Sequence, residues 1–596
     1  MATLVVEYIV EQREAQLTVS EGGAAWNAIR QACYDRASDV KESGPLSISL
    51  PWWAFLNTRA AINFYVRRYA LDVKFDDAAH KLLQASKSRA DNYNRAVASA
   101  PVSEQEIKQR LSETGFARQL KDWQLRNVRK LAAMDSGATF SVPGAGKTTE
   151  ALAFYFYKRL PDTRLLIVCP KNAFAVWEEQ IQECVPGFIA ENKVVRLIGG
   201  EQNIRQLLEQ NPAVCLITYQ QLPIVISLIG QFLTRQRCFI FADESHKMKR
   251  GSDGVWAGAL LSVSYLAEHK LVLSGTPMPQ SPSDLIAQFQ FLFPDEQADG
   301  DSISRLIKPV YVRTTKKELG IPNIDRFAKY VELSSEQRYV YNLLRSEFSR
   351  QLNTTLSIRQ RAQYRLLGRS AIRLLQFVSN PALLLASGAV PEDLLSDVLA
   401  SGDSPKIALA CQKARELAAQ GKKTIIWSSF VQNVELISAR LADLGADYIH
   451  GGVETGSEEE EETRERKIRR FHSDSNAFVL VGNPAACGES ISLHTVCHHA
   501  IYVDRGFNVA QYLQSEDRIH RLGLPPDQST TVEILICPDT IDETVDLRLR
   551  QKVAKMAEVL DDENLNIDPV SFDLEDEELD AEDRKALLSH FQAPVQ

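Results

Sequence analysis

The chain has few of the features that assign a protein quickly. Its nine cysteines are scattered, with no C-x-x-C pair and no Cys/His cluster at metal-ligand spacing. A disulfide scaffold and a structural zinc site are thereby excluded, and a reducing compartment is expected. No run approaches the roughly 20 apolar residues that span a bilayer. Between Met1 and Leu17, acids and polar residues interrupt every apolar run, which excludes a secretory h-region. There is no short-period repeat. Net positive charge is also missing: 68 Lys and Arg against 77 Asp and Glu leave −9, which taken alone argues against a nucleic-acid partner. That last absence is local. Residues 561–583 hold twelve acids and no Lys or Arg, so the rest of the chain carries +3.

What is present is ordinary for a globular protein. With 596 residues, 44% hydrophobic and 24% charged, the chain is neither disordered nor fibrous, and its length allows about three to six domains. Leu4–Val10 and Ala15–Val19 alternate like a β-hairpin, and Ala24–Ser38 reads as a helix. Leu46–Leu50 and the aromatic-rich Trp52–Tyr69 come next, and a polar helical connector spans about Asp76–Arg110. Short apolar runs then alternate with amphipathic helices at Ala138–Val142, Leu165–Cys169, Ala213–Ile217, Cys238–Ala242 and Lys270–Leu273. Such runs suit strands buried on both faces, hence a parallel α/β layer. Residues 336–400 are helical by period. A second layer follows, with strands near Thr424–Trp427, Ala477–Val481, Ala500–Val503 and Thr530–Ile536.

The sharpest motif is Phe140-Ser141-Val142-Pro143-Gly144-Ala145-Gly146-Lys147-Thr148-Thr149, between a strand and an amphipathic helix. In that context Gly144, Ala145 and Gly146 bring backbone N–H groups to phosphate oxygens at a helix N-terminus. Lys147 would reach the β- and γ-phosphates, and Thr148, with Thr149 beside it, would hold Mg²⁺ and the nucleotide. Ser141 stands where the general pattern has its first Gly. The strand Cys238–Ala242 runs into Asp243-Glu244-Ser245-His246. Asp243 would bind Mg²⁺ through water and Glu244 would polarise the attacking water.

Asp243-Glu244-Ser245-His246 resembles motif II of superfamily-two helicases, and the flanking segments resemble Swi/Snf-type ATPases that translocate on double-stranded DNA. The matches run in order from Phe116 to Lys552. Leu120–Gln124 resembles the adenine-reading motif, with Gln124 as reader. Leu166–Pro170, with Trp177 beyond it, resembles motif Ia, which places Lys171 on a DNA phosphate. Thr218-Tyr219 resembles motif Ib, and Ser274-Gly275-Thr276-Pro277 with Gln280 the coupling motif III. Arg313–Lys316 resembles the basic link between lobes, and Asn380–Leu384 the segment entering the second lobe. Ile425–Phe430, including Ser429 as a DNA contact, resembles motif IV. Cys487–Leu493, with Gly488 and Glu489, resembles motif V. Gln514–Gly523 resembles motif VI, whose arginine fingers match Arg518 and Arg521. Such fingers neutralise charge on the γ-phosphoryl and are worth roughly a thousandfold or more in rate. Departures include Leu524 for a glutamine, Phe507-Asn508-Val509 for Trp-Asn-Pro, Cys487 for glycine and Arg250 for asparagine.

The resemblance implies two tandem RecA-like parallel-sheet lobes with a helical insertion, plus a small α+β N-terminal domain. The expected divisions are residues 1–105 for the N-terminal domain, 106–300 for lobe 1 and 301–403 for the linker and basic insertion. Lobe 2 is expected at 404–555 and an acidic tail at 556–596. Residues 338–373 carry eight arginines and one acid. Arg361, Arg365, Arg369 and Arg373 recur every four residues, so a helix would present them as one stripe to duplex phosphates. Trp52, Trp53, Phe55, Tyr65, Arg67, Arg68 and Tyr69 fit either a small domain's core or a nucleic-acid platform. The acidic tail and Glu458–Glu462 read as solvated elements, or as a dock for a basic partner that restrains the ATPase. The function implied is an ATP- and Mg²⁺-dependent double-stranded DNA translocase that remodels or displaces bound protein. A strand-separating helicase stays open, as does an ATP-gated DNA-binding subunit of a bacterial or phage defence or restriction complex. Double-stranded DNA is the expected partner, with a protein partner at the N-terminal domain or tail and no membrane. The expected location is cytoplasmic, at the nucleoid in a bacterium.

Overall fold

A computed structural model describes residues 2–9, 12, 14–35, 40–87, 91–248, 254–355, 360–386, 390–453, 463–487, 491–562, 565 and 581–592. The chain forms two compact units, residues 1–277 with 282–314, and residues 278–281 with 315–596. No helix among the described residues is long and apolar enough to cross a membrane.

The first unit opens on a five-stranded sheet of β1 (Thr3–Ile9), β2 (Glu14–Val19), β3 (Lys41–Gly44), β4 (Ser47–Pro51) and β5 (Asp72–Phe75), in the order β3-β4-β2-β1-β5. β1 and β2 form the antiparallel hairpin that their alternation predicts, with Leu4, Val6, Leu17 and Val19 on the buried face. Helices Ala24–Tyr34 and Trp52–Arg68 cover that face with Trp26, Ile29, Trp52 and Phe55. Trp52 and Phe55 are therefore core, Tyr65 packs against it, and Arg67, Arg68 and Tyr69 are exposed. The side chain of Trp53 lies outside the described residues. Ile226, Tyr265 and Leu266 pack on the same cluster, and Arg59 pairs with Asp295 at 3.1 Å, so this domain is seated on the first parallel layer. The expected connector is three separate helices, Asp77–Lys87, Asn92–Ala98 and Glu104–Glu113.

That layer is a seven-stranded sheet of β6 (Ser136–Thr139), β7 (Arg164–Val168), β8 (Val194–Arg196), β9 (Val214–Ile217), β10 (Cys238–Asp243), β11 (His269–Leu273) and β12 (Tyr311–Val312). Its order is β12-β6-β11-β10-β7-β9-β8 and every pair is parallel. The central strands read Val, Leu, Ile and Phe on both faces because helices cover both. β12 pairs with β6, so the chain changes unit between Thr314 and Thr315, beyond the division at residue 300 that the sequence suggests.

The second unit holds β13 (Ile324–Tyr330), β14 (Lys423–Trp427), β15 (Asp447–Ile449), β16 (Val479–Gly482), β17 (Cys497–Tyr502) and β18 (Thr530–Ile536). They run parallel in the order β13-β18-β17-β14-β16-β15. Two long helices, Ser335–Thr355 and Gln360–Ser379, form the insertion. The final helix, Ala581–Gln592, packs on them and on helix Ile541–Leu560. Two parallel RecA-like layers with an added N-terminal sheet are thus the architecture.

Candidate nucleotide and nucleic-acid site

β6 delivers the chain to the glycine loop and helix Lys147–Lys158 takes it away, burying Ala151–Phe156 against the sheet. Gly144 and Gly146 have φ of 86° and 89°, a left-handed region that glycine alone enters without steric cost. Gly146 is held closely besides: a Cβ there would collide with the Gln124 amide. That amide donates to Ala145 O at 3.1 Å and accepts from Lys121 N at 3.1 Å, while Trp123 Nε1 also donates to Ala145 O. Gln124 is thus fastened to the phosphate loop. Lys147 and Thr148 are half-buried at the helix start, but Thr149 is buried, with its hydroxyl facing Gln180 Oε1 at 3.4 Å. Of the two threonines, Thr148 alone is placed at the partly open face of the loop.

Motif II sits at the C-terminal end of β10. Trp177 Nε1 donates to Asp243 Oδ2 at 2.9 Å, Glu244 N to Asp243 Oδ1 at 3.0 Å, and the Tyr219 hydroxyl to Asp243 O at 2.8 Å. Glu244 has φ 51°, unusual for a non-glycine residue. Its Oε2 is buried without a hydrogen bond, 3.3 Å from His246 Nδ1. Burial and the neighbouring Glu244 charge raise the Asp243 carboxyl above its ordinary value, against the Trp177 donor and Lys147. Burial pushes Glu244 up as well, but His246 and Lys147 outweigh it and the net shift is downward. One ionised carboxylate beside a more easily protonated one follows from two acids sharing a dry site.

Motif III lies against the same loop. A Cβ on Gly275 would stand 2.9 Å from Pro143 and 3.5 Å from Lys147 Nζ. Ser274 Oγ is 3.2 Å from His246 Nδ1 and accepts from Thr276 N at 3.2 Å, while the Thr276 hydroxyl is buried without a partner. Ser245 donates to Gln288, which donates on to Pro277 O. Lys147, Thr148, Asp243, Glu244 and Gly275 are therefore gathered in the first unit. This donor set fits a phosphate chain with a hard divalent cation: a helix N-terminus, one ammonium, a hydroxyl, and carboxylate oxygens of which one is buried and unsatisfied.

Other expected contacts distribute differently. Lys171 is exposed after β7, and Thr218 Oγ1 accepts from Gln221 N. Ser429 is buried, its amide donating to Asp504. Arg518 donates from Nε to Gln514 O at 2.8 Å and from Nη1 to Ile491 O at 2.9 Å, so this guanidinium is engaged within its own unit. Arg521 is half-buried, and Gln514 is buried. Gly488, Glu489, Arg250 and the run 458–462 lie outside the described residues.

Three arginines of the segment, all outside the expected stripe, are engaged by protein groups. Arg345 is buried and donates to His590 O, Arg338 to Pro538 O, and Arg350 pairs with Glu347. Arg369 is exposed and Arg373 half-buried on the second helix of the insertion. The side chains of Arg361 and Arg365 lie outside the described residues. The acidic tail needs a correction at its end. Asp583 is fully buried and accepts from Arg548 Nε at 2.8 Å and Lys552 Nζ at 2.6 Å. Lys552 also meets Gln280 and Phe507 O.

Sequence reasoning missed Trp177 and Tyr219 as holders of Asp243, Glu150 beneath the loop, and Arg326. The last of these makes a two-pronged pair at 2.7 Å with the fully buried Glu516 of motif VI. Glu150 alone had a visible signal, an acid directly before the apolar run Ala151–Tyr157 of its helix.

A glycine loop and an acid pair on the first of two parallel layers fit the ATPases of helicase superfamily two. A model of the SNF2-related domain matches residues 129–379, and a model of the helicase conserved C-terminal domain matches residues 406–523. The chain belongs to the Swi/Snf-related branch of that superfamily. It is 24% identical over 488 residues to the human SWI/SNF-related matrix-associated actin-dependent regulator of chromatin subfamily A member 1, covering 75% of this chain and 44% of that protein. The putative ATP-dependent helicase/translocase YwqA of Bacillus subtilis (strain 168) is 24% identical over 454 residues, covering 71% and 46%. Human DNA annealing helicase and endonuclease ZRANB3 is 22% identical over 417 residues, covering 67% and 36%. The chain thus spans less than half the length of these relatives.

Proposed function

We propose that the chain is an ATP-driven translocase on double-stranded DNA that displaces or remodels bound protein. The observation that carries this reading is the single cluster of glycine loop, Asp243-Glu244 and motif III in a Swi/Snf-related frame. Backbone N–H groups of the loop and Lys147 hold and orient the phosphates of ATP. Thr148 and Asp243 would hold Mg²⁺, which when bound neutralises charge on the phosphates. Glu244, ionised beside His246, accepts a hydrogen bond from the attacking water and aligns it with the γ-phosphoryl. The resemblance assigns Arg518 and Arg521 of the second unit as arginine fingers. Lys171, Thr218 and the stripe Arg361, Arg365, Arg369 and Arg373 are the corresponding DNA contacts of this reading, whereas the buried Ser429 is set aside.

ATP hydrolysis measured without DNA, with single-stranded DNA and with blunt duplex tests it. Duplex is expected to stimulate most, and Lys147→Ala to abolish turnover under all three conditions. Displacing a third strand from a triplex without opening a forked duplex is expected of a translocase. Fork opening alone would instead assign a strand-separating helicase.

A further inference from the structure

Beneath the phosphate loop lies a buried polar network that the chemistry of hydrolysis does not use. Its centre is Glu150, whose side chain is fully buried in the first turn of helix Lys147–Lys158. Thr139 donates to Glu150 Oε2 at 2.7 Å, and Asn127 Nδ2 to Glu150 Oε1 at 2.8 Å. Asn127 Nδ2 also reaches Thr314 Oγ1 at 2.9 Å and Ser141 Oγ at 3.3 Å, so its amide ties the carboxylate to both hydroxyls. Ser141, the residue standing for the usual glycine, accepts from Thr314 N at 3.1 Å. Backbone bonds continue the seam, from Phe140 N to Val312 O and from Val142 N to Thr314 O. One helix, Asp122–Ala132, braces both sides. It places Gln124 on Ala145 O, and Arg126 and Lys130 on the carbonyls of Arg313 and Tyr311.

Thr314 is the last residue of the first unit. The chain beyond it is fastened within the second unit to motif VI: Lys316 to Asp517 at 2.6 Å, Pro322 O to His520, and Arg326 to Glu516. The short link between the units therefore has one end on the phosphate loop and the other on the finger motif.

We propose that Glu150 and Ser141 are positioning residues that register this link on the phosphate loop through Asn127 and Thr314. Occupancy of the loop and the setting of the link are then one mechanical variable. A hydroxyl at position 141 in place of glycine is what allows it, since glycine offers no acceptor to Thr314 N. The inference rests on the nucleotide reading of the loop.

The test uses the full chain and a fluorescent ADP, with affinity, kcat and KM for ATP on duplex DNA as readouts and near-UV circular dichroism as the folding control. Thr314→Val and Ser141→Ala are near-isosteric and touch no phosphate. Each removes a hydroxyl shared by several donors and is expected to weaken ADP binding about three- to tenfold, a net loss on the scale of one buried hydrogen bond. KM is expected to rise more than kcat falls. The double variant is expected within about twofold of the worse single one, because both break one network. Glu150→Gln keeps an acceptor for Asn127 and a partner for Thr139, and is expected to stay within about twofold of the unaltered chain. The proposal is overturned if Thr314→Val binds ADP as the unaltered chain does, if the two effects multiply, or if Glu150→Gln is impaired as strongly as Glu150→Ala. Lys147→Ala separates the two claims. If it binds ADP as well as the unaltered chain, the nucleotide reading falls; if it loses ADP while Thr314→Val does not, only the positioning role falls.

Discussion

In the proposed function Glu244 is the residue on which hydrolysis turns. Its left-handed backbone and its buried, unsatisfied Oε2 hold an acceptor ready beside the loop, at an energetic cost that folding elsewhere offsets. Removing only its charge, in Glu244→Gln, is expected to lower DNA-stimulated turnover about 10²- to 10⁴-fold, the usual worth of a positioned base. ADP affinity is expected to stay within a few-fold. Turnover retained near the original rate would move the base elsewhere. At this scale the sequence was informative wherever a short motif dictates local backbone: Gly144, Gly146 and the acid pair stand where their spacing implies. It was uninformative about Thr149 and Ser429, because one rotation about a helix or a strand end decides whether a hydroxyl meets solvent or core.

Among the elements, the last helix departs furthest from its composition. An acidic segment suggests a solvated tail, yet Ala581–Gln592 is seated by Leu587, Phe591 and the buried Asp583 between Arg548 and Lys552. His590 lies in the same contact, between the Tyr341 hydroxyl and Thr544 Oγ1, with Arg345 on its carbonyl. Burial, and then the Arg345 charge, lowers its pKa from the ordinary 6.5 to about 4. A histidine neutral in the docked helix and protonatable when undocked contributes fully above 6.5, and that contribution is lost as pH falls toward 4. Protection of residues 581–592 against hydrogen exchange, taken relative to the intrinsic exchange rate at each pH, is therefore expected to fall between pH 6.5 and 4.5, and to lose that dependence in His590→Gln. Protection that is flat with pH in the unaltered chain would remove His590 from the docking energy.

The insertion shows the same limit of composition. Eight arginines in 36 residues read as one basic arm, but Arg338, Arg345 and Arg350 are spent on protein groups. The DNA-facing charge of this reading is confined to the second helix of the insertion. Neutralising Arg361, Arg365, Arg369 and Arg373 together is expected to reduce the slope of log affinity for duplex against log salt by about 0.9 for each phosphate no longer neutralised. An unchanged slope would place the DNA track elsewhere.

For the whole molecule, the order of motifs and the two parallel layers follow from sequence alone. Strands buried on both faces must be continuously apolar, and a loop that meets phosphate must carry glycine, so both leave local signatures. Edge strands such as β13, none of whose residues is fully buried, carry no continuous apolar run to mark them. Tertiary structure decided which polar groups share a dry interior, because those partners are far apart in the chain. Asn127 meets Thr314 across 187 residues and Arg326 meets Glu516 across 190. No local pattern records such pairings; they exist because a buried charge or hydroxyl must find a partner once folding removes water. The missing positive charge has the same resolution. The sequence assigned the deficit to the terminal acids, and only the fold determined that one of those acids, Asp583, is consumed by an arginine and a lysine inside the second unit.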